Sequence, residues 1–112
     1  MTTITYKFVE YIPEEIQEKI IYISIEYKTV VHKCICGCGN RVVTPISPTD
    51  WQLTFDGKTV TLDPSIGNWN FKCQSHYFII KNKIRRVRKW LKSEIDSGRK
   101  YDDENKKRYY ND

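Results

Sequence analysis

Residues 51–63 read Trp51-Gln52-Leu53-Thr54-Phe55-Asp56-Gly57-Lys58-Thr59-Val60-Thr61-Leu62-Asp63. Two runs rich in aromatic and β-branched residues, Trp51 to Phe55 and Lys58 to Asp63, flank Asp56-Gly57. That dipeptide is among the strongest short-range hairpin signals, because it accepts the positive φ of a tight turn. An antiparallel hairpin in the middle of the chain sets the expectation for what lies on either side of it.

Toward the N-terminus, Ile20 to Tyr27 reads as a strand, Thr29 to Lys33 as a second and Arg41 to Thr44 as a third. Between the last two lies Cys34-Ile35-Cys36-Gly37-Cys38-Gly39-Asn40, a tight turn rich in Gly. Pro13-Glu14-Glu15 looks like a helix start, with Pro in the first turn and acidic residues at the positive end of the dipole. Toward the C-terminus, Pro64 to Asn68 reads as a turn, Trp69 to Lys72 and His76 to Lys81 as strands, and Asn82-Lys83 as a hairpin tip. Ile84 to Val87 is the return strand, and Trp90, Leu91, Glu94 and Ile95 suggest a short helix. The predicted fold is mainly β (α+β): a small antiparallel β domain with a structural zinc site and short terminal helices. The domain is expected to span residues 1–95. Residues 96–112 are charged and tyrosine-rich with almost no aliphatic side chains, and read as a flexible tail.

At 112 residues the chain is one domain's worth, small enough for a metal to matter to its core. Its net charge of +5 invites a nucleic-acid reading. The distribution argues against it: residues 1–80 carry 7 basic and 8 acidic residues, and residues 81–112 carry 12 and 6. A basic run confined to one end is usually a solvated face. No apolar run approaches the roughly 18 residues of a membrane span. No basic segment followed by a long apolar stretch opens the chain, so a cytoplasmic location is expected.

The four cysteines are Cys34, Cys36, Cys38 and Cys73. Residues two apart share a face of an extended segment, so the first three can point the same way while the glycines let the backbone curl. Cys73 would close the set. Four thiolates suit a tetrahedral zinc ion, with His32 and His76 as spare ligands. Two disulfides and four unconnected thiols are the alternatives; neighbours two apart bridge poorly, and a reducing compartment opposes the first. Four protein ligands leave no position for water, which favours a structural zinc; with His76 in place of one thiolate and water in the vacancy, the site would be that of a zinc hydrolase.

With the cysteines so occupied, His76 is free. Ser75 is adjacent to it, and adjacent side chains on a strand diverge. Ser65, on the expected turn Pro64-Ser65-Ile66-Gly67-Asn68, can reach a histidine on a nearby strand, with the amides of Ser65 to Gly67 near an oxyanion. Asp50, Asp56 and Asp63 are available to orient the imidazole, and Asp50 stands out because it ends a loop that can enter a cleft. On composition alone, turn chemistry is the better account of Ser65, and a lone histidine beside Cys and Tyr is more often structural or a metal ligand.

Several segments carry a resemblance: Tyr11-Ile12-Pro13, Ile21-Tyr22-Ile23-Ser24, His32-Lys33-Cys34-Ile35-Cys36-Gly37-Cys38-Gly39, Val43 to Trp51, Leu62 to Trp69, and Cys73-Gln74-Ser75-His76-Tyr77-Phe78-Ile79. Across residues 8–87 the chain resembles a small bacterial family of formerly unknown function, associated with ubiquitin-like conjugation operons. The resemblance implies a serine peptidase that processes or deconjugates a ubiquitin-like protein in an antiphage setting. It implies zinc at Cys34, Cys36, Cys38 and Cys73, with His76 as base and Ser65 or Ser75 as nucleophile; the strand-face argument favours Ser65. The partners it implies are the ubiquitin-like protein, its conjugates and the activating and conjugating (E1- and E2-like) enzymes, with neither nucleic acid nor membrane. A non-catalytic zinc module that recruits partners of the same pathway is the alternative.

Overall fold

The computed structural model describes residues 2–88 and 90–110. Among them, nine short strands form wherever apolar residues alternate with polar ones or β-branched residues cluster. They are β1 (Thr2–Thr3), β2 (Thr5–Phe8), β3 (Ile20–Ser24), β4 (Thr29–Lys33), β5 (Arg41–Pro45), β6 (Gln52–Phe55), β7 (Val60–Gly67), β8 (His76–Ile80) and β9 (Lys83–Arg86). One helix, α1 (Lys92–Tyr110), follows. β5 shows the period most cleanly: Val42 and Thr44 are buried while Arg41, Val43 and Pro45 are exposed.

The strands form two sheets, ordered β1-β9-β8-β7-β6 and β2-β3-β4-β5. All pairs are antiparallel except β2 with β3, which are parallel. The Asp56-Gly57 turn joins β6 to β7, with Phe55 opposite Val60 and Gly57 at φ 95°. The second hairpin tip sits at Lys81-Asn82, both at positive φ, one residue before the position read from sequence. The core lies between the sheets: Ile21, Ile23 and Val30 from one meet Leu62, Ile66, Tyr77 and Ile79 from the other. Fully buried apolar side chains of this size each stabilise the fold by about 1.5–3 kcal/mol relative to exposure.

No helix forms at Pro13, where the sequence reading placed a helix start. Residues 9–19 must carry the chain from the end of β2 back to the start of β3, along the whole length of the sheet. The segment crosses the outer face of the second sheet, where Ile16 packs on Tyr22 and Val31. The Gln17 N–H donates to Tyr22 Oη (3.0 Å), and the Arg41 guanidinium donates to the carbonyls of Pro13 and Glu14.

Two further segments depart from the sequence reading. Trp69 to Lys72 is not a strand: it lies in consecutive turns in which Phe71 N–H donates to Asn68 O and Gln74 N–H to Phe71 O. Of residues 96–112, read as a tail, 96–110 belong to α1, which carries Glu94 in its first turn and Lys107 and Arg108 in its last, both favourable to the helix dipole, and 111 and 112 lie outside the described residues. No helix among the described residues is long and apolar enough to cross a membrane.

Candidate catalytic dyad and thiolate cluster

β7 is bulged where it passes β8. Leu62 pairs with Ile79 and Ile66 with Tyr77, so three residues, Asp63 to Ser65, stand opposite the single Phe78. Pro64 has no N–H to give to a ladder, so the interruption falls where it costs least. Bulges re-aim side chains, and this one turns Ser65 toward β8. Ser65 Oγ lies 2.9 Å from Nε2 of His76, the first residue of β8. The expected turn at Pro64–Asn68 is therefore the bulged end of a strand.

Nδ1 of His76 lies 3.0 Å from the main-chain carbonyl oxygen of Arg88. A carbonyl only accepts, so Nδ1 carries the proton and Nε2 presents its lone pair to the Ser65 hydroxyl, which donates. The ring is 8% exposed and sits among aromatic rings: Trp69 at 5.0 Å, Trp90 at 5.3 Å and Phe78 at 6.5 Å between centroids. Trp69 and Trp90 stack on each other at 5.3 Å. Gly67 allows this packing, because a Cβ there would come within 2.5 Å of the Trp69 ring.

Asp50 does not orient His76. Its carboxylate accepts from Ser47 Oγ (2.7 Å) and pairs with Lys106 Nζ (2.8 Å). Burial works to raise its pKa, but the hydrogen bonds from Lys106 and Ser47 and the Lys106 charge prevail and hold it below the usual range. Ser75 is also away from the dyad. Its Oγ lies 3.1 Å from Cys34 Sγ, 3.5 Å from Cys73 Sγ and 3.0 Å from Asn68 Nδ2.

The four cysteine sulfurs all lie within 4.8 Å of one another. Cys34 to Cys36 is 3.4 Å and Cys34 to Cys73 is 3.7 Å. Tetrahedral ligands at a Zn–S bond of about 2.3 Å are about 3.8 Å apart, so the donor set matches zinc in number, chemistry and spacing. Gly37 and Gly39, at φ 89° and 81°, curl the loop after β4. The Cys38 N–H and the Asn40 amide donate to Cys36 Sγ and Cys38 Sγ, both at 3.3 Å. Such bonds support metal-bound thiolates. As bare thiols the four would split: burial drives Cys36 up to about 12, while at Cys73 the bonds with Ser75 outweigh burial and bring it down to about 6. His32 is not in the cluster. Its Nε2 lies 2.6 Å from Tyr77 Oη between the sheets, and burial lowers its pKa to about 4.

Two sheet edges border the space in front of Ser65. β6 pairs only with Val60 to Asp63, which leaves the Pro64–Gly67 half of β7 open on that side. β5 is the outer strand of the second sheet. Between them is a cavity of about 610 Å³ lined by Thr44, Asp50, Ser65, Gly67 and His76, with Arg99 and Tyr101 of α1 across it. Residues 8–87 match the model of the family described as "Bacterial ubiquitination-like system serine protease (BubE)". The chain belongs to this family. No curated protein and no solved structure shows significant similarity to it.

The family span contains Ser65, His76 and all four cysteines, and it ends one residue before Arg88. The carbonyl that fixes His76, the Trp90 ring and α1 lie beyond it. The sequence reading found the start of α1 as a short helix but gave none of the three a place in the site. A main-chain carbonyl leaves no mark in a sequence, and Trp90, set at the end of a basic run, suggested a short terminal helix rather than a wall of the site.

Proposed function

We propose that this BubE-family chain is a serine peptidase that processes or deconjugates a ubiquitin-like protein, with Ser65 as nucleophile and His76 as base. The observation that carries the reading is the 2.9 Å contact between Ser65 Oγ and His76 Nε2, in the tautomer that leaves Nε2 able to take a proton. His76 removes the proton as Oγ forms its bond to the carbonyl carbon of the scissile peptide or isopeptide. The proton passes to the leaving amine as the C–N bond breaks, and water releases the acyl group by the same base. The amides of Ser65 to Gly67, next to the nucleophile in sequence, are the proposed oxyanion donors.

An extended C-terminal tail suits the site, because it can add as a strand to the open half of β7 and bring its carbonyl to Ser65. Cys34, Cys36, Cys38 and Cys73 would hold a structural zinc ion; when bound it fixes the loop after β4 to the turns before β8 and leaves no position for a reacting group. Thiolates of this kind belong in a reducing compartment, which favours the cytoplasm, and the family's conjugation system favours an antiphage role.

An activity-based fluorophosphonate probe tests the assignment. The expected result is labelling of the wild-type chain and of Ser75→Ala, but not of Ser65→Ala or His76→Ala. Cleavage of a ubiquitin-like precursor should follow the same order. A silent wild-type protein that still binds the ubiquitin-like protein would replace the peptidase with a non-catalytic zinc module. Cleavage that survives Ser65→Ala would remove the serine mechanism.

A further inference from the structure

His76 donates its orienting hydrogen bond to a neutral main-chain carbonyl at the start of a connection, and that carbonyl must itself be held in place. On its upstream side the ladder does so, since the Val87 N–H donates to the His76 carbonyl at 2.9 Å. On the downstream side the chain leaves the sheet. There the Glu94 carboxylate gathers both ends of the connection. Oε1 accepts from Arg88 Nη1 (2.9 Å) and from the Leu91 N–H (2.9 Å), and Oε2 accepts from Arg88 Nη2 (2.8 Å).

We propose that Glu94 is a positioning residue for His76: it closes Arg88 and Leu91 into a clasp that keeps the Arg88 carbonyl aimed at Nδ1. The inference rests on the peptidase reading of Ser65 and His76. Two features of the geometry support it. The clasp encloses Trp90, whose ring meets His76 edge-on and stacks on Trp69, so one carboxylate fixes both the acceptor and the wall of the base. The bidentate fork also ties the Arg88 side chain to the first turn of α1, on the same residue whose carbonyl fixes the ring. The carboxylate that sequence reading sought in Asp50 is thus supplied from the first turn of α1, acting through the main chain rather than by direct contact.

The pair is exposed on the Arg88 side and adds little to global stability. Its removal is expected to show in reactivity and not in folding. The test measures the maximal rate of fluorophosphonate labelling and the half-saturating probe concentration for the full chain and its Glu94→Gln and Glu94→Ala variants. Misplacing a catalytic group by about 1 Å can cost about a hundredfold in rate, so Glu94→Ala is expected to lower the maximal rate by about tenfold or more. The half-saturating concentration should stay within about twofold, and the melting temperature within a few degrees. Glu94→Gln keeps one acceptor oxygen and is expected to fall between. An unchanged rate in Glu94→Ala overturns the inference, and a raised rate does the same by making α1 an obstacle over the cleft. If the wild-type chain is not labelled at Ser65, the peptidase reading itself fails, which separates the two failures.

Discussion

Ser65 and Ser75 are ten residues apart on either side of one double turn, and strand geometry sends them to different chemistry. Ser75, just before β8, and His76, its first residue, point opposite ways, so Ser75 faces Cys34 and Cys73 while His76 faces the bulge. That alternation was legible in the sequence. The partner of Nδ1 was not, because any of three aspartates fits by type and the true acceptor is a main-chain oxygen. Tyr77, the next residue along, marks the boundary between site and core. Its hydroxyl bridges His32 Nε2 (2.6 Å) and Asn68 Nδ2 (3.4 Å) at zero exposure, while His32 Nδ1 already lacks a partner. Tyr77→Phe would leave the His32 ring with no hydrogen bond in the core. A buried polar group stripped of its partner costs about 1–3 kcal/mol, so a clear drop in melting temperature is expected, with fluorophosphonate labelling unchanged well below the transition. A melting temperature equal to that of the wild type would show that the bridge carries no stability.

At the scale of elements, the hairpins and most strands could be read from period-two patterns and turn dipeptides, because both are local. The misreadings share a non-local cause. β2 runs parallel to β3, so residues 9–19 return across the sheet, and there Ile16 is held on Tyr22 and Val31 without a helix. The turns over Trp69 to Lys72 form because Cys73 and Ser75 have to double back to the loop after β4. α1 has no buried residue, so its sequence lacks the apolar stripe that marks a packed helix. What holds it is polar: Lys106 to Asp50 and Arg99 Nη2 to Asn70 Oδ1 (2.7 Å). The bulged end of β7 is the element most exposed to a small change. In Gly67→Ala the new methyl would overlap the Trp69 ring, displace it from Trp90 and loosen the wall behind His76. A labelling rate reduced by about tenfold with a near-native far-ultraviolet spectrum is expected. Full labelling would show that Trp69 yields without consequence for the base.

For the whole molecule, the metal question and the charge question meet. The body up to residue 80 is nearly neutral, and the basic excess lies in β9, the connection after it and α1, where part of it is spent on Glu94, Asp50 and Asp103. The thiolate cluster lies within the neutral body. Cys34 is fully buried, belongs to the main core and follows β4, while Cys73 belongs to the turns that lead into β8. A zinc ion there would tie the two sheets together at the end that carries His76. Structural zinc sites in small folds contribute about 10 kcal/mol or more, comparable to the whole stability of a domain this size. Chelation is therefore expected to lower the melting temperature by more than 10 °C and to abolish Ser65 labelling in step with unfolding. Cadmium or cobalt, which accept the same tetrahedral thiolates, are expected to restore stability and labelling together. Labelling that depends on which metal is bound, at equal stability, would move the ion from the scaffold into the chemistry. A melting temperature indifferent to chelation would remove the metal from the fold altogether.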